Sequence, residues 1–390
     1  MDKARVGFIG AGRFISLTHL PTARASAAME VRAIADLDEA ALQRHRDAGP
    51  VGYTTNDYKD LLADEDIELV VIGTKQDLHA PLTVAALDAG KWVFCEKPLC
   101  ETEDEARRIL AAEARNPGRL AVGFNRRFAP AYQDARRLFA PIPRPWFLHY
   151  RLMYPSGYVR GGDGFYADRP RILYEGTHVL DLVCWLLGGP PRRAYMAGDE
   201  TANDACLLEF ADGSLVTVTC GSVGTHCFWK EYMELFGAWA AVTVSDFTDV
   251  RVRGIPGQFD RLVPPFRGEH AEAVLRHGFD FYETYKVNVV DQAHAGAGAR
   301  DGMDFEEVRR PAPGDFDATA HAPSNPEAPT FIPDKGWAAS LEHFARCLRS
   351  GQAPENAAAA AGAQATRLAL ALLDARAQGR PVAFPPPAGT

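Results

Sequence analysis

Short, continuous apolar runs open the chain and alternate with stretches whose apolar residues recur every three or four positions. RVGFIG (5–10), VRAIAD (31–36), ELVVIG (68–73), KWVFC (91–95) and RLAVGF (119–124) have the β-branched and apolar content of strands buried on both faces. Helical spacing fills the gaps at 13–27, 38–48, 77–89 and 101–115. Buried strands alternating with helices predict an α/β domain over residues 1–123, built on a doubly wound parallel sheet.

The pattern changes after residue 123. A helix, APAYQDARRLFA, runs into the breaker PIPRP, and WFLHYRLMY then alternates as a strand. A helix over 175–187 is stopped by GGPP. ACLLEFADGSLVTVTCGS turns at Asp212-Gly213, and YMELFGAWAAVTVSDF reads as a second hairpin around Gly237. Strands joined by short turns predict a large open antiparallel sheet, so 124–390 is expected to be an α+β domain. Residues 254–330 read as irregular, with one helix near 268–284 and a long loop afterwards, the expected place for a lid or subunit contact. Two helices close the chain, GWAASLEHFARCLRSG and AAAAAGAQATRLALALLDARAQG, the alanines of the second reflecting helix propensity.

Composition narrows the function. The 390 residues are 47% apolar and 24% charged, an ordinary globular balance that suits two domains. A net charge of -9 without a basic tract excludes nucleic acid as a partner. No apolar run has membrane-spanning length, and the chain enters a strand at once, so neither membrane nor signal peptide is expected and the location is read as cytoplasmic. The seven cysteines lack zinc spacing and read as small buried hydrophobes in a reducing compartment.

Candidate chemistry begins at GFIGAGRFIS, which follows the first strand and opens a helix. Gly10 allows a tight turn, Gly12 lets a pyrophosphate approach the backbone, and the helix N-terminus offers free N–H groups. Arg13, Phe14 and Ile15 complete the loop. Ile15 stands where the fingerprint has a third small residue, which is expected to move the helix slightly off the strand. Asp36 ends the second strand, where a carboxylate accepts from both ribose hydroxyls and repels a 2′-phosphate. Leu37 follows, with no cation to hold that phosphate. NAD is therefore expected rather than NADP. The competing role for Asp36, capping the next helix, is one that Asp38 can fill.

VFCEKPLC is the second feature. Ligands of open α/β sheets lie outside the carboxyl ends of the strands, and there Glu96 and Lys97 project. Pro98 restricts Lys97 and makes a cis bond accessible. A partly desolvated lysine can stabilise a developing oxyanion or accept its proton. Glu96 is expected to orient Lys97 or bind the nicotinamide ribose. The third feature is LYEGTHVLDLVCWLLGG. On one helix, Glu175, His178 and Asp181 form a polar stripe, with Tyr174 on the same edge. That set suits proton transfer, with Glu175 or Asp181 orienting His178. It does not make a metal site, since no thiolate or second histidine stands at ligand spacing.

These stretches, with IGTKQDLHAPLTVAALDAGKWVFCEKPL, VGFNRRFAP and DKGWAASLEHF, resemble the glucose–fructose oxidoreductase, inositol dehydrogenase and MocA family. The resemblance covers nearly the whole chain outside 254–330. It implies a Rossmann domain, a second domain with a large open sheet, and sheets packed between subunits as a homodimer or homotetramer. It also implies that Lys97 and His178 face a substrate hydroxyl. From their own positions, Asn125 and Arg126, just after the last parallel strand, are expected to border the nicotinamide or substrate, Glu175 is a further candidate for the substrate, and Thr74, Lys75 and His79 are candidates for the cofactor. Two departures stand out. Lys75 follows Thr74 where many members have proline. Tyr174, four residues before His178, replaces an aspartate, with Glu175 three before. The proton acceptor therefore stays open among Lys97, His178 and Tyr174. The expected activity is NAD-dependent hydride transfer at a secondary alcohol of a sugar, glycoside or cyclitol. Two alternatives remain: redox-assisted lyase or glycosidase chemistry without net NADH, and a non-catalytic nucleotide-binding regulator.

Overall fold

The computed structural model describes residues 2–153, 170–199, 203–221, 230–258, 260–262, 266–267 and 332–384. The helix expected near 268–284 and the loop after it lie outside the described residues.

The first half is a six-stranded parallel sheet. Its strands are β1 (Ala4–Ile9), β2 (Met29–Ala35), β3 (Tyr53–Thr55), β4 (Leu69–Ile72), β5 (Trp92–Cys95) and β6 (Leu120–Val122), in the order β3-β2-β1-β4-β5-β6. β1 and β4 lie side by side while the chain winds outward in both directions from them, and a ligand crevice belongs at that switch point. The strands carry buried apolar side chains on both faces because helices cover both. The helices are α1 (Leu20–Ala25), preceded by a π-turn at Ile15–His19, then α2 (Glu39–Asp47), α3 (Tyr58–Ala63), α4 (His79–Asp88) and α5 (Glu103–Arg115). α5 starts on a capping box. The Thr102 hydroxyl accepts from Glu105 N–H, and the Glu105 carboxylate accepts from Thr102 N–H at 3.1 Å. β3 and α3 escape the sequence reading because each is shorter than a periodicity can show.

The second half opens with α6 (Pro130–Phe139) and β7 (Phe147–Met153), followed by α7 (Arg171–Tyr174) and α8 (Gly176–Leu187). β8 (Arg193–Gly198), β9 (Asn203–Glu209), β10 (Leu215–Gly221), β11 (Glu231–Gly237), β12 (Ala240–Ser245), β13 (Asp249–Arg253) and β14 (Arg261–Leu262) follow. Two-residue segments at Phe266–Arg267 (β15) and Ile332–Pro333 (β16) pair with each other. The chain ends with α9 (Trp337–Ser350), α10 (Ala359–Gln378) and β17 (Val382–Ala383). The large sheet runs β14-β13-β12-β11-β7-β10-β9-β8-β17, antiparallel except where β10 pairs parallel with β7. Both expected hairpins are present. In the second the turn residues are Ala238 and Trp239, both at positive φ, rather than Gly237.

One face of this sheet packs on α6, α8 and the later part of α10 through Leu148, Tyr150, Leu180, Val183, Val218 and Leu372. α10 serves two cores. Its first turns bury Ala359, Ala363 and Ala365 against the parallel-sheet core, and later Leu368, Ala369 and Leu372 lie beneath the large sheet. A Cβ on Gly362 would meet Leu99 Cδ2 at 2.5 Å, so small residues set this approach as well as helix propensity. α9 returns to the parallel sheet, where Leu341 and Phe344 join Phe94 and Leu20. The six described cysteines are all buried and unbonded to one another, as expected. Among the described residues no helix is long and apolar enough to cross a membrane.

Candidate active site

The glycine loop sits at the switch point. Gly10 has φ +98°, and a Cβ there would lie 2.7 Å from the Gly73 carbonyl oxygen, so only glycine fits. Gly12 has no heavy atom within 4 Å of its would-be Cβ, leaving open space over the loop. Ile15 is buried, and its room comes from the neighbouring strand end: a Cβ on Gly73 would fall 2.3 Å from Ile15 Cδ1. The missing third small residue is thus offset by a glycine just after β4. Arg13 and Phe14 are exposed on the outer side of the loop.

Asp36 holds this loop from below. Its carboxylate accepts from Ala11 N–H at 2.6 Å and from Asp38 N–H at 2.8 Å, while Asp38 caps α2 by accepting from Ala40 N–H at 2.9 Å. The capping role therefore falls to Asp38. Leu37 beside it is 87% exposed. The open cradle over Gly12, with a fixed carboxylate at the end of β2, fits a dinucleotide.

Lys97 follows β5, and the Lys97–Pro98 peptide is cis. The ammonium donates to the Tyr174 carbonyl oxygen at 3.1 Å and to Glu175 Oε1 at 3.3 Å, bridging the two halves of the chain. Glu96 turns away from it. Its carboxylate accepts from His19 Nε2–H at 2.6 Å and from Lys97 N–H at 3.2 Å. A Cβ on Gly123 would sit 2.6 Å from Glu96 Oε1, so the glycine ending β6 makes room for this carboxylate. Glu96 therefore orients the backbone of Lys97 and meets His19, which nothing in the sequence pattern singled out.

His79 is fully enclosed. Its Nδ1 lies 2.7 Å from the Pro98 carbonyl oxygen and its Nε2 3.3 Å from that of Thr74. Burial lowers its pKa. The ring ties the Thr74-Lys75 turn to the Lys97-Pro98 peptide, so any effect on a cofactor is exerted through those segments. Lys75 and Thr74 remain at the crevice, with Thr74 Cγ2 3.2 Å from a would-be Cβ on Gly10.

The expected helix over 175–187 is present as α8, with Glu175 as its N-cap, but Tyr174 belongs to a separate short helix before it. Tyr174 ends α7, Glu175 is the junction, and α8 begins at Gly176, where a Cβ would meet Ile172 Cδ1 at 2.6 Å. The junction sets Tyr174 apart, and the three residues of the stripe turn to different partners. Glu175 faces Lys97, and Tyr174 donates its phenol to Glu101 Oε1 at 2.8 Å. Asp181 is held by both Nε and Nη2 of Arg127, at 2.8 and 2.5 Å, rather than by His178. Neither carboxylate bonds the imidazole, whose Nδ1 has no hydrogen-bond partner among the described residues. An edge-on contact with Phe124, 6.0 Å between ring centres, orients the ring instead.

The electrostatics follow from burial and from charges nearby. Burial, then the charges of Arg126, Lys97, Lys230 and Lys335, hold the His178 pKa well below its usual value. Its imidazole is neutral at neutral pH. For Glu175, burial raises the pKa, but the charge of Lys97, then of Lys230, Arg126 and Arg171, outweighs it and keeps the carboxyl ionised far below the ordinary range.

Arg126 is not open to a ligand. It is buried and pairs with both oxygens of Glu231 at 2.8 and 2.5 Å; Glu231 also accepts from the Tyr150 hydroxyl, which meets Tyr132. Asn125 is also buried, donating to the Lys335 carbonyl oxygen at 2.7 Å and leaving its Oδ1 without a partner among the described residues. The DKGW stretch is thereby explained: Gly336, at φ +83°, packs so close to the 125–129 turn that a Cβ would lie 2.4 Å from the Asn125 carbonyl oxygen. Among the described residues no group of acids, histidines and cysteines can hold a metal ion.

Residues 4–124 match a family described as an oxidoreductase family with an NAD-binding Rossmann fold. The chain is 33% identical over 189 residues to an inositol 2-dehydrogenase of Salmonella paratyphi B, covering 47% of this chain and 54% of that protein. It is 31% identical over 232 residues to an inositol 2-dehydrogenase 2 of Paenarthrobacter aurescens, covering 55% of this chain and 67% of that one. The chain thus spans about half to two thirds of the length of these curated relatives. Its fold superposes on an oxidoreductase from Agrobacterium radiobacter, solved in complex with NAD+, L-tartaric acid and magnesium, with a TM-score of 0.71 over 98% of both chains at 16% identity.

Proposed function

The chain belongs to the Gfo/Idh/MocA oxidoreductase family, whose Rossmann domain binds NAD, and we propose that it transfers a hydride between NAD and a secondary alcohol or ketone of a sugar, glycoside or cyclitol. The observation that carries this reading is the Lys97 ammonium, fixed by the Tyr174 carbonyl and the Glu175 carboxylate one helical turn from a neutral His178.

An ammonium has three N–H groups, and two of those of Lys97 are engaged. The third donates to the reacting oxygen and stabilises the negative charge that grows there as the alcohol is oxidised. Glu175 keeps the lysine aimed. His178, neutral and buried, accepts the hydroxyl proton; in the reverse direction its imidazolium returns it. The Tyr174 phenol is engaged with Glu101, which leaves His178 as the acceptor in this scheme. Bound NAD supplies the hydride acceptor. Gly10 and Gly12 would hold its pyrophosphate, Asp36 the adenosine ribose, and Thr74 and Lys75 the nicotinamide side. The inositol 2-dehydrogenases among its relatives support a polyhydroxylated ring as substrate.

A second copy of the chain is proposed to cover the outer face of the large sheet. Phe147, Leu215 and Phe236 sit in register on adjacent strands there and are 43%, 39% and 41% exposed. The functional test is to incubate the protein with NAD and a panel of sugars, glycosides and cyclitols while following nicotinamide absorbance and product together. NADH formation with ketone product supports the reading; product without net NADH replaces it with redox-assisted elimination.

A further inference from the structure

The following rests on the reading that Lys97 and His178 face the substrate. The charges that act most strongly on His178 are all positive. Two of them have acid partners, Arg126 with Glu231 and Lys97 with Glu175. Lys335 differs. Its ammonium lies 4.9 Å from the centre of the Phe247 ring and 5.9 Å from that of Trp337, and no carboxylate stands within ion-pair distance of it among the described residues.

The position of this lysine is built in. Its carbonyl oxygen accepts from Asn125, and Gly336 wedges against the 125–129 turn. Asp334, the nearest acid in sequence, accepts from Gly336 N–H. These anchors hold Lys335 beside the end of the last parallel strand, where the two domains meet. The Arg126 guanidinium lies 5.7 Å from the same Phe247 ring, so the two cations share one aromatic neighbour. Asp246 and Glu231 lie near enough to act on Lys335 but not within ion-pair distance, and both oxygens of Glu231 already accept from Arg126. Burial lowers the Lys335 pKa. An ammonium resting on aromatic faces, with no carboxylate within ion-pair distance among the described residues, is costly to desolvate unless a ligand supplies the anion.

We propose that Lys335 is an anion-binding residue of the substrate site, and that the substrate is a sugar or cyclitol derivative carrying a carboxylate or a phosphate. The anion would bridge to Lys335 while the reacting hydroxyl meets Lys97 and His178, which fixes which carbon faces the nicotinamide.

The test is calorimetric binding to the NAD-saturated protein, so it does not depend on turnover. The probes are D-glucuronate, D-gluconate and D-glucose 6-phosphate beside D-glucose, D-galacturonate beside D-galactose, and myo-inositol phosphate beside myo-inositol. At least one anionic probe is expected to bind about tenfold or more tighter than its neutral parent, the usual scale of a charge-assisted hydrogen bond. Lys335→Met is expected to bring that ratio to within about threefold of unity, and Lys335→Arg to retain part of it. The carboxylate and phosphate arms distinguish the two anions. Equal binding of every anionic probe and its parent overturns the proposal. So does a preference that survives Lys335→Met, or a variant that weakens both classes alike, which marks a structural lysine. Failure of the redox reading shows separately, as tight binding without nicotinamide reduction.

Discussion

Lys97 holds its ammonium 3.3 Å from the Glu175 carboxylate, and that single pair joins the strand end of the parallel sheet to the helix that carries His178. Both side chains are mostly buried, so the contact aligns the two halves of the site and keeps the Glu175 carboxyl ionised. The proposed chemistry depends on this alignment.

Lys97→Met removes the donor to the reacting oxygen. The expected loss in kcat is about 10³-fold, the scale of deleting one preorganised oxyanion donor, with the Kd for NAD within a few fold. Steady-state kinetics with a fluorescence titration of NAD checks both halves.

Glu175→Gln keeps the shape and removes the charge. The expected result is a fall in kcat of about 10- to 100-fold, with KM changing less, because Lys97 loses its aim while its stem stays packed. A variant with unchanged kcat would show that Glu175 serves only the fold.

His178 carries a pH prediction. Its folded pKa is depressed, so the folded state resists protonation while the unfolded chain takes a proton once the pH drops through about 6.5. Below that value the unfolded state binds more protons, and stability falls with falling pH through this group. The acid limb of kcat/KM for alcohol oxidation is expected to lie below the range of an ordinary histidine. His178→Gln should remove that limb and lower kcat by about 10²- to 10⁴-fold.

Arg126 and Glu231 are a stability prediction. Arg126→Met alone leaves a buried carboxylate unpaired and is expected to cost about 3–5 kcal/mol in urea unfolding. The double variant Arg126→Met with Glu231→Gln should recover much of that loss, which separates the pair's packing from its charge.

Gly12→Ala separates fold from binding. Open space surrounds the would-be Cβ, so the melting temperature is expected to stay within a degree or two while NAD affinity drops. At Gly10 the same substitution meets the Gly73 carbonyl at positive φ and is expected to lower both.

Much of this was legible locally. The glycine loop, Asp36 and E-K-P each lie on one continuous strand–turn segment, where periodicity and turn chemistry place them. The junction at Glu175 was not legible, because Tyr174 through Leu187 has unbroken helical spacing. Asp181 was misassigned to His178 because its partner Arg127 comes from a distant turn. His19, Glu101, Glu231 and Lys335 were missed for the same reason: each meets its partner across a large separation in sequence, and no local pattern records such a meeting.

The most direct measurement is a single incubation of the protein and its Lys97→Met variant with NAD and the substrate panel, reading NADH and product in the same samples. The account predicts NADH and ketone in equal amounts from at least one polyhydroxylated substrate, and neither from the variant. Equal NADH formation by the variant, or product without net NADH from the unaltered protein, would contradict it.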